Sequence, residues 1–151
     1  MNAPVDTALL DALTHQAATD GITKHVVGAV ITDHDGLILL LHRTADDYLG
    51  GLWELPSGGV EPDENLLDAL HREVKEETGL TITSVGGYLG HFDYLSKSGK
   101  KTRQFNFTAT TTNDRVTLTE HDAHLWADQA GRGRTSSAVQ TVLAACHGHT
   151  A

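Results

Sequence analysis

Leu9, Leu10, Leu13 and Ala17 recur at helical spacing, which predicts a first helix at about 6–18 with Asp6 or Thr7 as its N-cap. The β-branched run of Val26, Val27, Val30 and Ile31 predicts a strand. His34-Asp35-Gly36 has turn chemistry, and residues 37–42 predict the returning strand. A glycine-rich loop around Gly50-Gly51 leads to a short extended piece, Trp53-Glu54-Leu55-Pro56. Leu66, Leu70 and Val74 then repeat at i, i+4 and i+8, so the segment 65–78 is the clearest helix, with Gly79 placed to close it. Alternating stretches at 80–85 and 88–94 predict two strands, Ser98-Gly99 a hairpin and 103–111 its return. A short strand is expected at 125–127. A last helix at about 136–147 should bury Val139, Val142, Leu143 and Cys146, leaving His147 and His149 in a tail. Strands mixed with central and terminal helices indicate an α/β/α sandwich, a mixed central sheet flanked by helices.

Composition narrows this picture. At 151 residues one domain, 1–151, is expected. The formal charge of −9, from 20 acids against 11 bases, argues against nucleic-acid backbones as partners, because these reward a basic face. A small anionic ligand remains compatible, since divalent cations invert the local field. Cys146 is the only cysteine, so no intrachain disulfide is expected, which suits a reducing cytoplasm. No stretch reads as a signal peptide, and the apolar run 37–41 is far too short to span a bilayer. A cytoplasmic protein without a membrane partner is the expectation, with a homodimer left open.

The chemistry concentrates between Gly58 and Leu80. Glu73, Glu76 and Glu77 stand at i, i+3 and i+4, so their carboxylates project from one face of the helix, beside the apolar stripe. Three ionised carboxylates so close repel one another unless a cation neutralises them. Oxygen ligands without Cys or His favour Mg²⁺, with Mn²⁺ as a substitute, over Zn²⁺. Taken alone, such a helix is more often a solvated acidic face.

The wider pattern changes that reading. Gly58, five residues, Glu64, seven residues, then Arg72-Glu73-Val74-Lys75-Glu76-Glu77-Thr78-Gly79-Leu80 resembles the Nudix box at every fixed position. Seven fixed identities, each with a background of about one in fifteen, recur by chance on the order of once in 10⁸ starting positions. The resemblance implies a magnesium-dependent hydrolase that cuts a diphosphate linkage in a nucleoside diphosphate derivative. It implies that Gly58 and Gly59 form a loop approached by metal and substrate, and that Glu73, Glu76 and Glu77 hold divalent ions. Glu64 and Arg72 are expected to pair and brace loop against helix, a task for which the planar guanidinium suits better than Lys. Relatives often place a Glu six residues before a Trp as a further ligand or general base; here Glu120 precedes Trp126 by that spacing, with Asp122 as competitor. Arg43, at a strand end ahead of the box, resembles an Arg that contacts substrate phosphate.

The expected substrate is a small nucleotide, a (d)NTP or modified nucleotide giving NMP and pyrophosphate. ADP-ribose pyrophosphatases usually carry a proline some sixteen residues past the box; this chain has Leu95 there and no proline after Pro62. An ADP-ribose or nucleotide-sugar pyrophosphatase stays as the alternative, as does a non-catalytic nucleotide sensor. His121 and His124 have no partner at zinc-site spacing. Lys97, Lys100, Lys101 and Arg103 read as solvating charge on a hairpin, and Phe105, Phe107 and Tyr94 as core rather than stacking rings.

Overall fold

The structure is a computed structural model and describes residues 5–43 and 52–149. The expected glycine-rich loop at Gly50-Gly51 lies outside the described residues. Elements follow in the order α1 (Thr7–Thr19), β1 (Lys24–Ile31), β2 (Ile38–His42), β3 (Trp53–Glu54), β4 (Ser57–Gly59), α2 (Leu66–Thr78), β5 (Ile82–Leu95), β6 (Lys101–Thr111), β7 (Ala123–Ala127), a 3₁₀ turn and α3 (Ser137–His149).

Helices flank mixed strands, as expected, but the strands divide between two sheets. One has the order β4-β1-β6-β5 and the other β3-β2-β7. β1 runs parallel to β6, pairing Lys24 with Thr102 through to Ile31 with Ala109, and antiparallel to β4. β1 and β2 are buried on both sides, which explains their near-continuous apolar runs. Successive side chains of a strand point to opposite faces. Val27, Ala29, Ile31, Leu39 and Leu41 therefore join one core cluster with Leu66, Leu70 and Val74. Val30, Ile38 and Leu40 join a second with Val139, Val142, Leu143 and Cys146 of α3.

α2 starts at Asn65, whose side chain accepts from the Asp68 N–H at 2.8 Å. It ends at Gly79, whose φ of +74° any Cβ would strain and whose N–H returns to the Lys75 carbonyl. Its stripe of Leu66, Leu70 and Val74 is fully buried, each side chain worth about 1.5–3 kcal/mol of transfer free energy.

Several expectations need correction. The strands expected at 80–85 and 88–94 are one strand, β5. Register shifts at three points let it follow β6 without a break, and a bulge looks like an interruption in a period-2 pattern. Residues 57–59, expected as loop, form the edge strand β4. β7 begins at Ala123, two residues early, and α3 continues through His149. Arg103 is not hairpin solvation: it is buried, with bonds to Asp93 at 2.7 Å and Asp20 at 3.0 Å that tie α1 to β5. Among the described residues no helix is long and apolar enough to cross a membrane.

Candidate active site

β4 and α2 lie side by side, and Arg72 binds them together. Its Nε and Nη2 each donate at 2.7 Å to the two oxygens of Glu64, a bidentate grip. Nη2 also donates to the Gly59 carbonyl at 2.9 Å, while Nη1 donates to Glu73 at 2.8 Å and Glu76 at 3.2 Å. Glu64 in turn accepts from the Glu61 N–H at 2.9 Å. Held mainly by Arg72, its carboxyl is pulled down to about 2. One guanidinium thus fixes the segment before the helix, the edge strand and two helix carboxylates. Arg72→Lys keeps the charge and loses the fork. It should lower the melting temperature and the turnover rate together, with metal affinity reduced only modestly; unaltered melting and kinetics would show that the grip is dispensable.

The three helix acids occupy different settings. Glu76 is 59% exposed and Glu73 15%. Glu73 packs directly on Gly58, where any Cβ would collide with its carboxyl group; Gly58 thus permits a close approach of strand and helix. Burial pushes the Glu73 carboxyl up, against the pull of Arg72. Glu77 is the more perturbed. Its Oε1 accepts from the Ser57 N–H at 2.8 Å, and burial pushes it up to about 8, with His121 opposing and Glu54 and Glu73 adding to the rise.

Among the described residues no three such groups converge closely enough to hold an ion in this conformation. Arg72 takes Glu73 and Glu76, while Glu77 turns to Ser57. The Arg72 guanidinium stands between Glu73 and Glu76 and offsets their mutual repulsion. The donor set nevertheless fits a hard divalent cation, being all carboxylate oxygen with one acid buried where a cation would favour its ionised form.

Beside Glu77 lies a group of residues that no short-range spacing reveals. Glu54 accepts from Arg43 Nε at 2.7 Å and lies 3.0 Å from His121 Nε2. The Glu54 carboxylate is the main reason His121 is raised above its ordinary value. His121 is 8% exposed, and its Nδ1 is buried without a hydrogen-bond partner. Glu54 and His121 were missed because they meet across 67 residues. The one available signal was the alternation in Trp53-Glu54-Leu55, which puts Glu54 opposite to buried Leu55.

Glu120 is exposed on the loop before β7, and Thr119 beside it donates to the Glu76 carbonyl at 3.1 Å, so the loop reaches the end of α2. Its competitor Asp122 is engaged elsewhere, 2.6 Å from His42 Nδ1. From Ser57, Glu54 and Arg43 a cleft of about 380 Å³ opens toward Phe92, Tyr94 and Gln104. Phe105 and Phe107 are core, whereas Tyr94 is 40% exposed.

A sequence-family model for the NUDIX domain matches residues 23–130, well over half of the chain. This chain belongs to the Nudix family. Among proteins of known structure, the MutT protein from Methanosarcina mazei Go1 superposes with a TM-score of 0.73 at 27% identity, covering 87% of this chain and 99% of that one. The Escherichia coli ORF135 protein, solved in solution, gives 0.71 at 30% identity, covering 88% and 94%. A CTP pyrophosphohydrolase from E. coli K12 is 49% identical over 63 residues, 42% of this chain and 46% of that protein. The matched stretch spans about a third to a half of the length of such curated relatives.

Proposed function

We propose that this Nudix protein hydrolyses a diphosphate linkage in a small nucleotide, a nucleoside triphosphate or modified nucleotide, giving a monophosphate and pyrophosphate. The observation that carries this reading is Glu77: a carboxyl buried beside a nucleotide-sized cleft and held near 8 is poised to gain from a divalent cation. The matched relative named as a CTP pyrophosphohydrolase supports the substrate class.

Glu73, Glu76 and Glu77 are the residues that would hold Mg²⁺ or Mn²⁺, with Glu120 as a further ligand or as the base. When bound, the ion supplies neutralising charge for the non-bridging oxygens and eases deprotonation of the attacking water. The chain does the rest. Arg43, oriented by Glu54, offers its guanidinium to a phosphate oxygen at the cleft mouth. Gly58 keeps β4 close to the helix, so the diphosphate meets backbone there rather than a side chain. A carboxylate, Glu120 or a helix acid, takes the proton from water as oxygen attacks phosphorus. The bond to the bridging oxygen breaks, and its electron pair leaves with pyrophosphate when the α-phosphorus is attacked or with the nucleoside monophosphate when the β-phosphorus is.

Turnover should be lost in EDTA and restored by Mg²⁺ or Mn²⁺. A panel of (d)NTPs, ADP-ribose, dinucleoside polyphosphates and nucleotide sugars, read by phosphate-containing products, tests both metal dependence and class. Full turnover in metal-free buffer would sink the mechanism. Cleavage of ADP-ribose alone would reassign the class.

A further inference from the structure

Gln104 lines the cleft and is hydrogen-bonded to Asn106, and the hydrolytic reading uses neither amide. Gln104 and Asn106 stand two residues apart on β6 and share one face, opposite the core rings Phe105 and Phe107. Asn106 is fully buried and Gln104 is 6% exposed. Their orientation follows from a chain of hydrogen bonds that begins at backbone carbonyls. Asn106 Nδ2 donates to the carbonyls of Gly90 and Gln104, each at 3.2 Å. Carbonyls only accept, so the Asn106 nitrogen is committed to them and its Oδ1 must face the other way. That oxygen accepts from Gln104 Nε2 at 2.9 Å. The Gln104 nitrogen is therefore turned toward Asn106, with one N–H spent there, and its Oε1 is the one atom of the pair without a protein partner among the described residues.

The neighbours keep this arrangement in place. Gly28 of β1 lies against the pair, and a Cβ there would come within 2.5 Å of both Asn106 Oδ1 and Gln104 Nε2. The register shift between Tyr88 and Gly90, where φ is +100°, brings the Gly90 carbonyl within reach of Asn106. Phe92 is the cross-strand partner of Gln104, so its ring stands on the same face. Tyr94 follows 6.1 Å from that ring, and Trp53 lines the cleft as well. The cleft thus presents aromatic walls and one hydrogen-bond acceptor of settled orientation, with Ser57 and Arg43 also in its lining.

We propose that Gln104 determines base preference: its Oε1 accepts a hydrogen bond from the exocyclic amino group of the nucleobase. Resting on the nucleotide-hydrolase reading, this names the substrate class as nucleotides with amino-bearing bases, cytosine among the pyrimidines. Uracil and thymine present a 4-oxo group at that edge and meet Gln104 acceptor to acceptor. Both oxygens then lose water without gaining a donor.

Monophosphates hold no diphosphate to be cut, so binding is measured by calorimetry in Mg²⁺ buffer with CMP, UMP and the 5′-monophosphate of pyrimidin-2-one riboside, which lacks the 4-amino group. CMP should bind wild type about tenfold more tightly than either, the scale of one hydrogen bond and its unmet counterpart. In Gln104→Leu, verified as folded by thermal melting, the preference for CMP should collapse to within about twofold, the scale below which no hydrogen bond is being counted. Should that variant fail to fold, the comparison of CMP with its deamino analogue on wild type decides alone. Equal affinities for the three ligands, tighter binding of UMP, or binding of none overturns the assignment, as does a folded variant that keeps the preference. Turnover of the nucleotide panel is read separately. Preference without turnover leaves the base contact standing and retires the hydrolase reading; turnover without preference overturns Gln104 alone.

Discussion

Glu77→Gln is expected to lose about 10²–10³-fold in turnover, the scale on which a removed charge-stabilising contact is felt at a reacting centre, while the metal-free protein melts higher than wild type. The second half follows from proton linkage. In the folded chain Glu77 is held near 8 by burial, far above a carboxyl in an unfolded chain. Between those two values the folded state retains a proton that the unfolded state releases. Stability therefore falls as pH rises from about 4.5 to about 8, and the loss is complete above the folded value. Glutamine carries no proton to lose. The difference in melting temperature, variant minus wild type in EDTA, should grow from pH 5 to pH 8, at about 2–4 °C per kcal/mol for a domain of this size. Added Mg²⁺ should raise the melting temperature of wild type and barely move the variant. A difference that stays flat across this range would remove the buried carboxyl from the account, and ordinary activity in Glu77→Gln would make the helix a solvated face.

Glu120→Gln tests a residue outside the box. If it is the general base, the rate should fall by about 10²–10⁴-fold, the usual worth of a positioned proton acceptor. Substrate should still bind, and the acidic limb of the pH–rate profile should change. If it serves as a metal ligand, higher Mg²⁺ or Mn²⁺ should restore much of the loss. A rate within about twofold of wild type would leave the proton to a helix carboxylate, because a base removed outright costs far more. Asp122→Asn is the paired control. Asp122 bonds to His42 on β2, so the structure expects little kinetic effect there; a large defect at Asp122 with none at Glu120 would reassign the role.

What was legible in the sequence is what is local. The 3.6-residue stripe of Leu66, Leu70 and Val74 and the stop at Gly79 lie within one segment, and so does the spacing of the box. Glu64 and Arg72 are eight residues apart, close enough for a motif to hold both. The extra reach of Arg72 to Gly59, Glu73 and Glu76 is not written in that spacing, because it depends on how β4 docks on α2. Glu54 and His121 meet only once β3 and the loop before β7 are brought together. Arg103 read as hairpin charge because its partner Asp20 belongs to the end of α1. Gln104 read as one more strand residue, since its significance depends on Gly28 and Gly90 from two other strands. The split into two sheets escaped for a similar reason: alternation reports which faces are buried, not which strands share hydrogen bonds.

The parallel pairing of β1 with β6 joins residues 78 apart, and this sets an order of events in folding. Hairpins such as β5–β6 close short loops and can form early, whereas the parallel pair must first meet the entropy of a long loop. On a growing chain β1, β2 and α2 are complete before β6 exists, so the cluster around Leu66, Leu70 and Val74 lacks Phe105 and Phe107 until residues 101–111 have been made. The acidic face of the same helix is then a solubilising asset: it keeps a half-finished chain dispersed with charges that the finished one turns toward β4.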